Sequence, residues 1–349
     1  MMLELTLRFH TIAYLCLCVF SPTHYALAND RSIESASWRF EFDNDLFFQK
    51  DNKISSGLSL QHHSAIATNW DTLQKVPDFV RRWGEAFPFM SAGGLSYRAG
   101  IALGQVIQTP DDLSRKDLIV DDVPYAGVLT VQATWYAYND TEFRGIEITA
   151  GVLGSASLAQ YSQKLIHSVF NSEEPEGWDN QLKTELLLNL NVMRKIKILQ
   201  LTFDDQQSFD LVLDGHVALG NLFTKASTGL EMRFGNNIPK GFLYVTDPVG
   251  LSMHYLANMK PDNPNRHSLY GSLVLRASAF AHNVFLDGNL FRDSHSVDKK
   301  PWVGLAVIGF HYESAKWGIH FNLLSTTDNV DTHLAGREQL GTIHVEWRF

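Results

Sequence analysis

Short segments in which apolar and polar residues alternate recur through the chain from residue 38 to its last residue. Period-two alternation is typical of a β-strand whose two faces meet different surroundings. Many segments carry aromatic residues near one end, as in Trp135-Tyr136 and His311-Tyr312. Thirteen segments show the pattern: Trp38–Asp43, Ile54–His63, Leu95–Val106, Gly127–Tyr138, Gly145–Leu153, Glu185–Met193, Phe209–Leu219, Thr228–Phe234, Ser268–Phe280, Val284–Phe291, Trp302–Tyr312, Trp317–Leu324 and Gly341–Phe349. The pattern predicts an all-β fold.

The connections and the aromatic residues favour a transmembrane antiparallel β-barrel of the bacterial outer membrane. Short turns and long loops alternate in such barrels, and aromatic girdles mark both membrane interfaces. The predicted tight turns are Asn139–Thr141, Gly220–Leu222, Ala281–Asn283 and Ser314–Lys316. The last residues, His344–Phe349, alternate and end on phenylalanine, which resembles the assembly signal of outer-membrane proteins. A soluble β-sandwich is the alternative.

The number of strands is not settled by the pattern alone. A single-chain barrel of this type has an even number of strands, so thirteen segments imply one error. Either Lys195–Phe203 is a further strand or one segment is false. The sequence predicts 12–14 strands, with short helices in the connections.

The N-terminus has the features of a secretory signal peptide. Arg8 precedes an apolar run from Ile12 to Phe20, and Ala26–Ala28 forms an A-x-A cleavage site. We expect residues 1–28 to be removed and residues 29–349 to form the barrel. Both cysteines of the chain lie in the removed segment, which excludes disulfides and thiol nucleophiles from the mature protein. The net charge of −9 disfavours nucleic acid as a partner.

A polar cluster is predicted where the first two strands meet. Asn44 and Asp45 follow the first strand, and Ser55 begins the second. Oxygen donors packed so closely suit a hard cation such as Ca²⁺. The alternative is a polar hairpin end that binds nothing.

Two connections have the periodicity of an amphipathic helix. Residues 69–89 are predicted to lie on the inner membrane face or to plug the lower end of the barrel. The second helix, Leu158–Phe170, has an apolar stripe with His167 between its members, and acidic residues follow from Glu173 onward. The order of the strands puts His167 at the same end of the barrel as Asn44.

A histidine beside a bound Ca²⁺ can hydrolyse an ester without a covalent intermediate. The neutral imidazole of His167 would take a proton from water, and the cation would stabilise the oxyanion. The alternative is that His167 is a surface histidine near a helix end with no catalytic role. Ser55 could instead act as a nucleophile activated by histidine, although the chain lacks a G-x-S-x-G elbow. Neither H-E-x-x-H nor a glycine loop for phosphate occurs.

Several motifs, taken in order, resemble the lipid A 3′-O-deacylase family of Gram-negative outer membranes. They are Asp43–Phe48, Ser55–Gly57, Thr109–Asp111, Asp121–Gly127, Gly177–Leu182 and Leu219–Asn221. The resemblance implies a twelve-stranded outer-membrane barrel. It also implies a Ca²⁺-dependent site between the outer strand ends, which removes the 3′-linked acyloxyacyl chain from lipid A.

The resemblance assigns roles residue by residue. His167 would be the general base, Asn44 would orient the substrate or the metal shell, and Ser55 replaces a threonine of the family. Asp45, Glu173 and the backbone near Ser55 would hold Ca²⁺. Alternatives to Glu173 are Glu174, Asp179, Gln181 and Glu185.

These observations predict a Ca²⁺-dependent carboxylic ester hydrolase whose partner is lipid A or lipopolysaccharide. We expect a monomer that binds no nucleic acid. Two other functions stay open: an outer-membrane phospholipase with a Ser–His nucleophile, and a non-enzymatic pore or structural barrel.

Overall fold

A computed structural model gives the fold of most of the chain after the predicted signal peptide. The residues that it describes are 36–44, 54–91, 94–170, 174–203, 206–243, 265–331 and 338–349. The predicted signal peptide, residues 1–28, lies outside these ranges.

Twelve antiparallel strands form one closed barrel, in which each strand pairs with its neighbours in sequence and the first pairs with the last. The strands are β1 (Ser37–Asn44), β2 (Ile54–His63), β3 (Ser96–Gln108), β4 (Ala126–Tyr138), β5 (Glu142–Leu153), β6 (Glu185–Thr202), β7 (Gln207–Gly220), β8 (Phe223–Asn236), β9 (Ser268–Asn283), β10 (Trp302–Glu313), β11 (Trp317–Thr326) and β12 (Gln339–Arg348). The helices are α1 (Asp78–Ala86), α2 (Ala159–Phe170) and α3 (Val284–Asp287), with 3₁₀ turns at Pro88–Met90, Gly154–Ser157 and Trp178–Asn180. The predicted outer-membrane type of barrel is confirmed, and the strand number is twelve.

One predicted strand, Val284–Phe291, is wrong, and with it the turn predicted at Ala281–Asn283. β9 continues through that turn to Asn283, whose side chain accepts a hydrogen bond from the Phe285 backbone and caps α3. Val284, Phe285 and Leu286 are all buried, so this run does not alternate. A short continuous apolar run cannot be assigned to strand or helix by periodicity. The segment Lys195–Phe203 is not a separate strand, since β6 extends to Thr202.

The strands present apolar side chains outward and polar side chains to the lumen. Leu186 in β6 is 78% exposed on the outer wall, whereas Lys195 points inward and is buried. Lumenal charges form close pairs, such as Lys195 with Glu231 at 2.5 Å and Arg233 with Asp210 at 2.9 Å. Paired charges avoid most of the cost of burying an isolated ion. Many inward side chains of the described strands are therefore buried and paired across the lumen.

Aromatic rings cluster at the end of the barrel where β1 begins and β12 ends. The Trp38 and His62 rings lie 4.8 Å apart, Trp347 lies 5.1 Å from Phe349, and Trp317 lies 6.3 Å from Trp347. Aromatic rings of this kind mark a membrane–water interface. Among the described residues, no helix is both long and apolar enough to cross a membrane.

Helix α1 lies against the outer wall of the barrel and does not plug its lower end. The Trp135 side chain, on the outward face of β4, donates a hydrogen bond to the Val80 carbonyl at 2.8 Å. The Trp83 ring stacks on Trp135, with 5.9 Å between the ring centroids. Phe79 and Trp83 remain about half exposed. The helix therefore covers one part of the wall and presents aromatic side chains outward.

Replacement of Trp135 by alanine tests this packing. Trp135 is 1% exposed, and truncation of a buried tryptophan typically costs about 3 kcal/mol or more. We expect a loss of that size in the free energy of unfolding, measured by urea titration in detergent. Val131→Ala is the control, because Val131 lies on the same face of β4 and is 48% exposed. Equal losses from the two variants would show that α1 does not pack on Trp135.

Candidate active site at the outer strand ends

The candidate site lies at the end of the barrel opposite the start of β1 and the end of β12. β1 ends there at Asn44, and the connection from β5 to β6, which carries His167, leaves the same end. Most connections at this end are long, whereas several at the other end are tight turns, as expected for extracellular and periplasmic ends respectively. The topology thus brings the segments of Asn44 and His167 to one rim.

A row of four paired residues crosses β1 to β4 at this rim. Asn44 pairs with Ser56, Ser56 with Ile107, and Ile107 with Gly127. The Trp38 side chain is partly exposed on the outer wall. Asn44 lies an even number of residues after Trp38 on the same strand, so both side chains are on the same face. The row therefore faces away from the lumen. Its members are nevertheless buried, which means that other parts of the chain cover the wall here.

A β-bulge occurs at Ser55. Ile54 pairs with Gln108 and Ser56 pairs with Ile107, so the ladder between β2 and β3 passes over Ser55. A bulged residue is left out of the pairing, and bulges are frequent beside active sites. Ser55 thereby has no partner residue in the β2–β3 ladder. Nothing in the sequence pattern indicates this bulge.

Gly127 provides the seat on which α2 packs. A Cβ atom at Gly127 would lie 2.2 Å from the Ala159 Cβ atom and 2.3 Å from Ser157 Oγ. The Gln105 side chain, on the outward face of β3, donates a hydrogen bond to the Ser157 carbonyl at 2.7 Å. The missing side chain at Gly127 lets the start of α2 approach the wall.

Helix α2 turns a polar side to the wall and an apolar side outward. Ala159 and Gln163 are 1% and 2% exposed, whereas Tyr161 and Leu165 are 72% and 55% exposed. His167 follows Gln163 by four residues and is half-buried. Residues four apart lie on the same face of a helix, so His167 is on the face that packs on the barrel. Leu158, Tyr161 and Leu165 of the apolar stripe therefore face the surroundings.

The Gly-Trp segment braces α2 from the side. Trp178 is buried, and its Nε1 donates a hydrogen bond to Gln163 Oε1 at 2.9 Å. The Tyr125 and Trp178 ring centroids lie 5.1 Å apart. Gly177 leaves room for the Tyr125 ring, since a Cβ atom there would lie 2.5 Å from Tyr125 Cε2. This motif therefore holds the helix in place.

Two acidic side chains near the rim, those of Asp122 and Glu176, have partners within the loops. Asp122 is buried and accepts hydrogen bonds from the backbone amides of Asp111 and Val123, so it shapes a turn. Glu176 pairs with Lys116 at 2.9 Å, and this hydrogen bond raises the pKa of the Lys116 ammonium group.

The alternatives to Glu173 differ in their surroundings. Glu174 pairs with Lys164 of α2 at 3.0 Å, and Asp179 is exposed. Glu185 accepts hydrogen bonds from the side chains of Asn221 and Asn289, which ties its two carboxylate oxygens to other loops. Glu185 is therefore a brace between loops.

Three predicted site features lie outside the described part of the structure: Asp45, Glu173 and the side chain of Ser55. The described part contributes Asn44, 6% exposed on the outward face, the bulge at Ser55 and the wall-facing His167. Sequence reasoning missed Gly127 and Gln163 as supports of the site. The Pro-Tyr-Ala-Gly motif marks Gly127 in the sequence, whereas no sequence motif marks Gln163.

Comparison with known proteins decides the family. The family profile described as "Outer membrane protein LpxR" matches residues 12–349. The chain belongs to the LpxR family. This is the lipid A 3′-O-deacylase family whose motifs the sequence carries, and membership with the barrel fold places the protein in the bacterial outer membrane.

A solved structure of an LpxR protein supports the fold. LpxR from Salmonella typhimurium superposes with a TM-score of 0.71 at 14% identity, covering 90% of this chain and all of that one. The β domain of the Bordetella autotransporter BrkA is more distant, with a TM-score of 0.44 at 8% identity over 90% of this chain and 99% of that one. A search of curated protein sequences finds no match.

The seat of α2 in this LpxR-family barrel is tested by Gly127→Ala. The added Cβ atom would overlap Ala159 and push the helix off the wall. We expect faster protease cleavage after Lys164 of α2, with unchanged heat-modifiable mobility of the barrel. Gly215→Ala is the control, because no atom lies within 4 Å of its added Cβ. Equal cleavage rates in Gly127→Ala and wild type would contradict this packing.

Proposed function

We propose that this protein is a hydrolase that removes the 3′-linked acyloxyacyl chain from lipid A in the outer leaflet. The observation that carries the proposal is the buried row on the outward face of β1–β4, covered by α2, in a member of the LpxR family. A site for a membrane lipid must open toward the membrane, and this row faces away from the lumen.

The two faces of α2 suit an amphipathic substrate. Tyr161 and Leu165 lie outward, where acyl chains of the outer leaflet can contact them. His167 lies on the opposite side, toward the wall. An acyl ester that enters between the helix and the wall would pass from an apolar surface to a polar one without leaving the membrane.

His167 is proposed as the general base. Neutral imidazole can accept a proton from a water molecule as that water attacks the ester carbon. The brace from Trp178 to Gln163, one turn before His167, fixes the helix that carries it. Asn44 is proposed to orient the substrate through its amide. Hydrolysis by activated water needs no covalent intermediate on Ser55.

We propose that Ca²⁺ is held by Asp45, Glu173 and the Ser55 carbonyl. The donors are all oxygen atoms, which is the ligand type that Ca²⁺ prefers. The bulge supports the role of Ser55, because it removes that backbone from the β2–β3 ladder. Bound Ca²⁺ would act as a Lewis acid that stabilises the developing oxyanion.

The first test is His167→Ala. General-base catalysis typically contributes about 10²–10⁴-fold to a rate, so we expect at least a hundredfold slower release of the 3′ chain from lipid A by purified protein in detergent. Mobility on gels without heating should stay that of the folded barrel. His62→Ala is the control, because His62 lies on the outer wall at the opposite end of the barrel. Full activity in His167→Ala would remove the general base from the proposal.

Ser55→Ala separates water attack from a serine nucleophile. The backbone carbonyl is kept in this variant, so we expect activity within about tenfold of wild type under the same assay. Removal of a catalytic nucleophile would cost far more activity than that. Loss of all activity, together with labelling of wild-type Ser55 by a serine-reactive probe, would instead support the phospholipase-like alternative.

A further inference from the structure

A second polar cluster lies on the other face of β1, inside the lumen. Glu41 and Asp43 alternate with Phe40 and Phe42, so their carboxylates point inward. His344 of β12 pairs directly with Glu41 across the strands. One ligand atom from each of Glu41, Asp43 and His344 lies within 4.8 Å of the others, and all three residues are buried.

The Asp43 carboxylate lacks the compensation that other lumenal acids have. Asp43 is 4% exposed, and its Oδ1 atom accepts no hydrogen bond. In the described part of the chain Asp43 joins no ion pair, whereas Asp210 pairs with Arg233. Its charged neighbour is a second carboxylate, that of Glu41. Two adjacent buried carboxylates are costly unless a cation or a shared proton neutralises them.

A small residue lets the Asp43 carboxylate take this position. Gly57 pairs with Asp43 across β1 and β2, and a Cβ atom at Gly57 would lie 2.9 Å from Asp43 Oδ2, so a larger residue would force the carboxylate to shift. The Gln61 amide donates a hydrogen bond to Glu41 Oε2 at 2.9 Å and orients that carboxylate from behind.

We propose that Glu41, Asp43 and His344 form a second cation site, in the lumen, for a divalent transition-metal ion such as Zn²⁺. An imidazole with two carboxylates is a donor set of Zn²⁺ and related ions, whereas Ca²⁺ takes oxygen ligands. Asp43 faces the lumen, whereas the Asn44 side chain lies on the outward face of the same strand.

The position of the ligands gives the ion a structural role. β1 and β12 are the first and last strands, and their pairing closes the barrel. Two ligands come from β1 and one from β12, so a bound ion cross-links the closing seam. Binding that requires the closed barrel stabilises it by mass action.

The test uses mature protein purified from membranes in detergent without chelator. Bound metals are counted by plasma mass spectrometry, and Zn²⁺ is then titrated while thermal unfolding is followed by heat-modifiable mobility. We expect one transition-metal ion per wild-type chain and a rise in unfolding temperature with Zn²⁺. Asp43→Asn and His344→Gln should each weaken Zn²⁺ binding at least tenfold, because loss of even a residue that only supports a metal ligand typically costs about 10–100-fold in affinity. Both variants should also abolish the rise in unfolding temperature with Zn²⁺. Gly57→Ala should weaken binding by crowding Asp43.

His216→Gln is the matched control. His216 is a buried lumenal histidine on β7 that contacts the Asn191 side chain, away from the seam. This variant should bind Zn²⁺ as wild type does, and so should His167→Ala, which separates the lumenal site from the rim site. The proposal is overturned if folded wild type binds no transition metal and Zn²⁺ leaves its unfolding unchanged. It is also overturned if folded Asp43→Asn binds as much Zn²⁺ as wild type.

Discussion

Closure of the barrel by β1 and β12 is the interaction on which the rest of the structure depends. In a bilayer every backbone amide and carbonyl of a spanning strand needs a partner, and only a closed sheet leaves no unpaired edge. Eight residue pairs, from Ser37 with Arg348 to Asn44 with Gly341, form this seam. The seam also gives β1 two different surroundings, the lumen on one face and the membrane side on the other. Both candidate sites follow from this division.

The proposed catalytic residues lie on parts of the chain with different rigidity. Asn44 and the Ser55 bulge belong to strand ends held by the barrel, whereas His167 lies on a helix in a long connection. A loop helix can place a side chain reliably only when packing fixes it to the scaffold. Gly127 and Trp178 provide that fixation, the first by close approach and the second by its hydrogen bond to Gln163. The motifs around them are therefore structural supports of the site.

The sequence predicts the strands well because the bilayer and the lumen impose opposite demands on alternate residues. That reasoning fails at Val284–Phe291, where Val284, Phe285 and Leu286 are all buried and the alternation disappears. It also gives no orientation for α2, because a membrane-facing helix exposes its apolar stripe, including Tyr161 and Leu165. The bulge at Ser55 depends on the register between β2 and β3, which no local pattern encodes.

We infer that this barrel removes the 3′-linked acyloxyacyl chain from lipid A in its own membrane leaflet. The most direct measurement is mass spectrometry of lipid A from cells that produce the protein, compared with cells that produce the His167→Ala barrel at the same level. We expect the mass of lipid A to fall by that of the 3′-acyloxyacyl chain only in cells with the wild-type protein. Unchanged lipid A in those cells, together with purified protein that releases no acyl chain from lipid A in detergent, would contradict it.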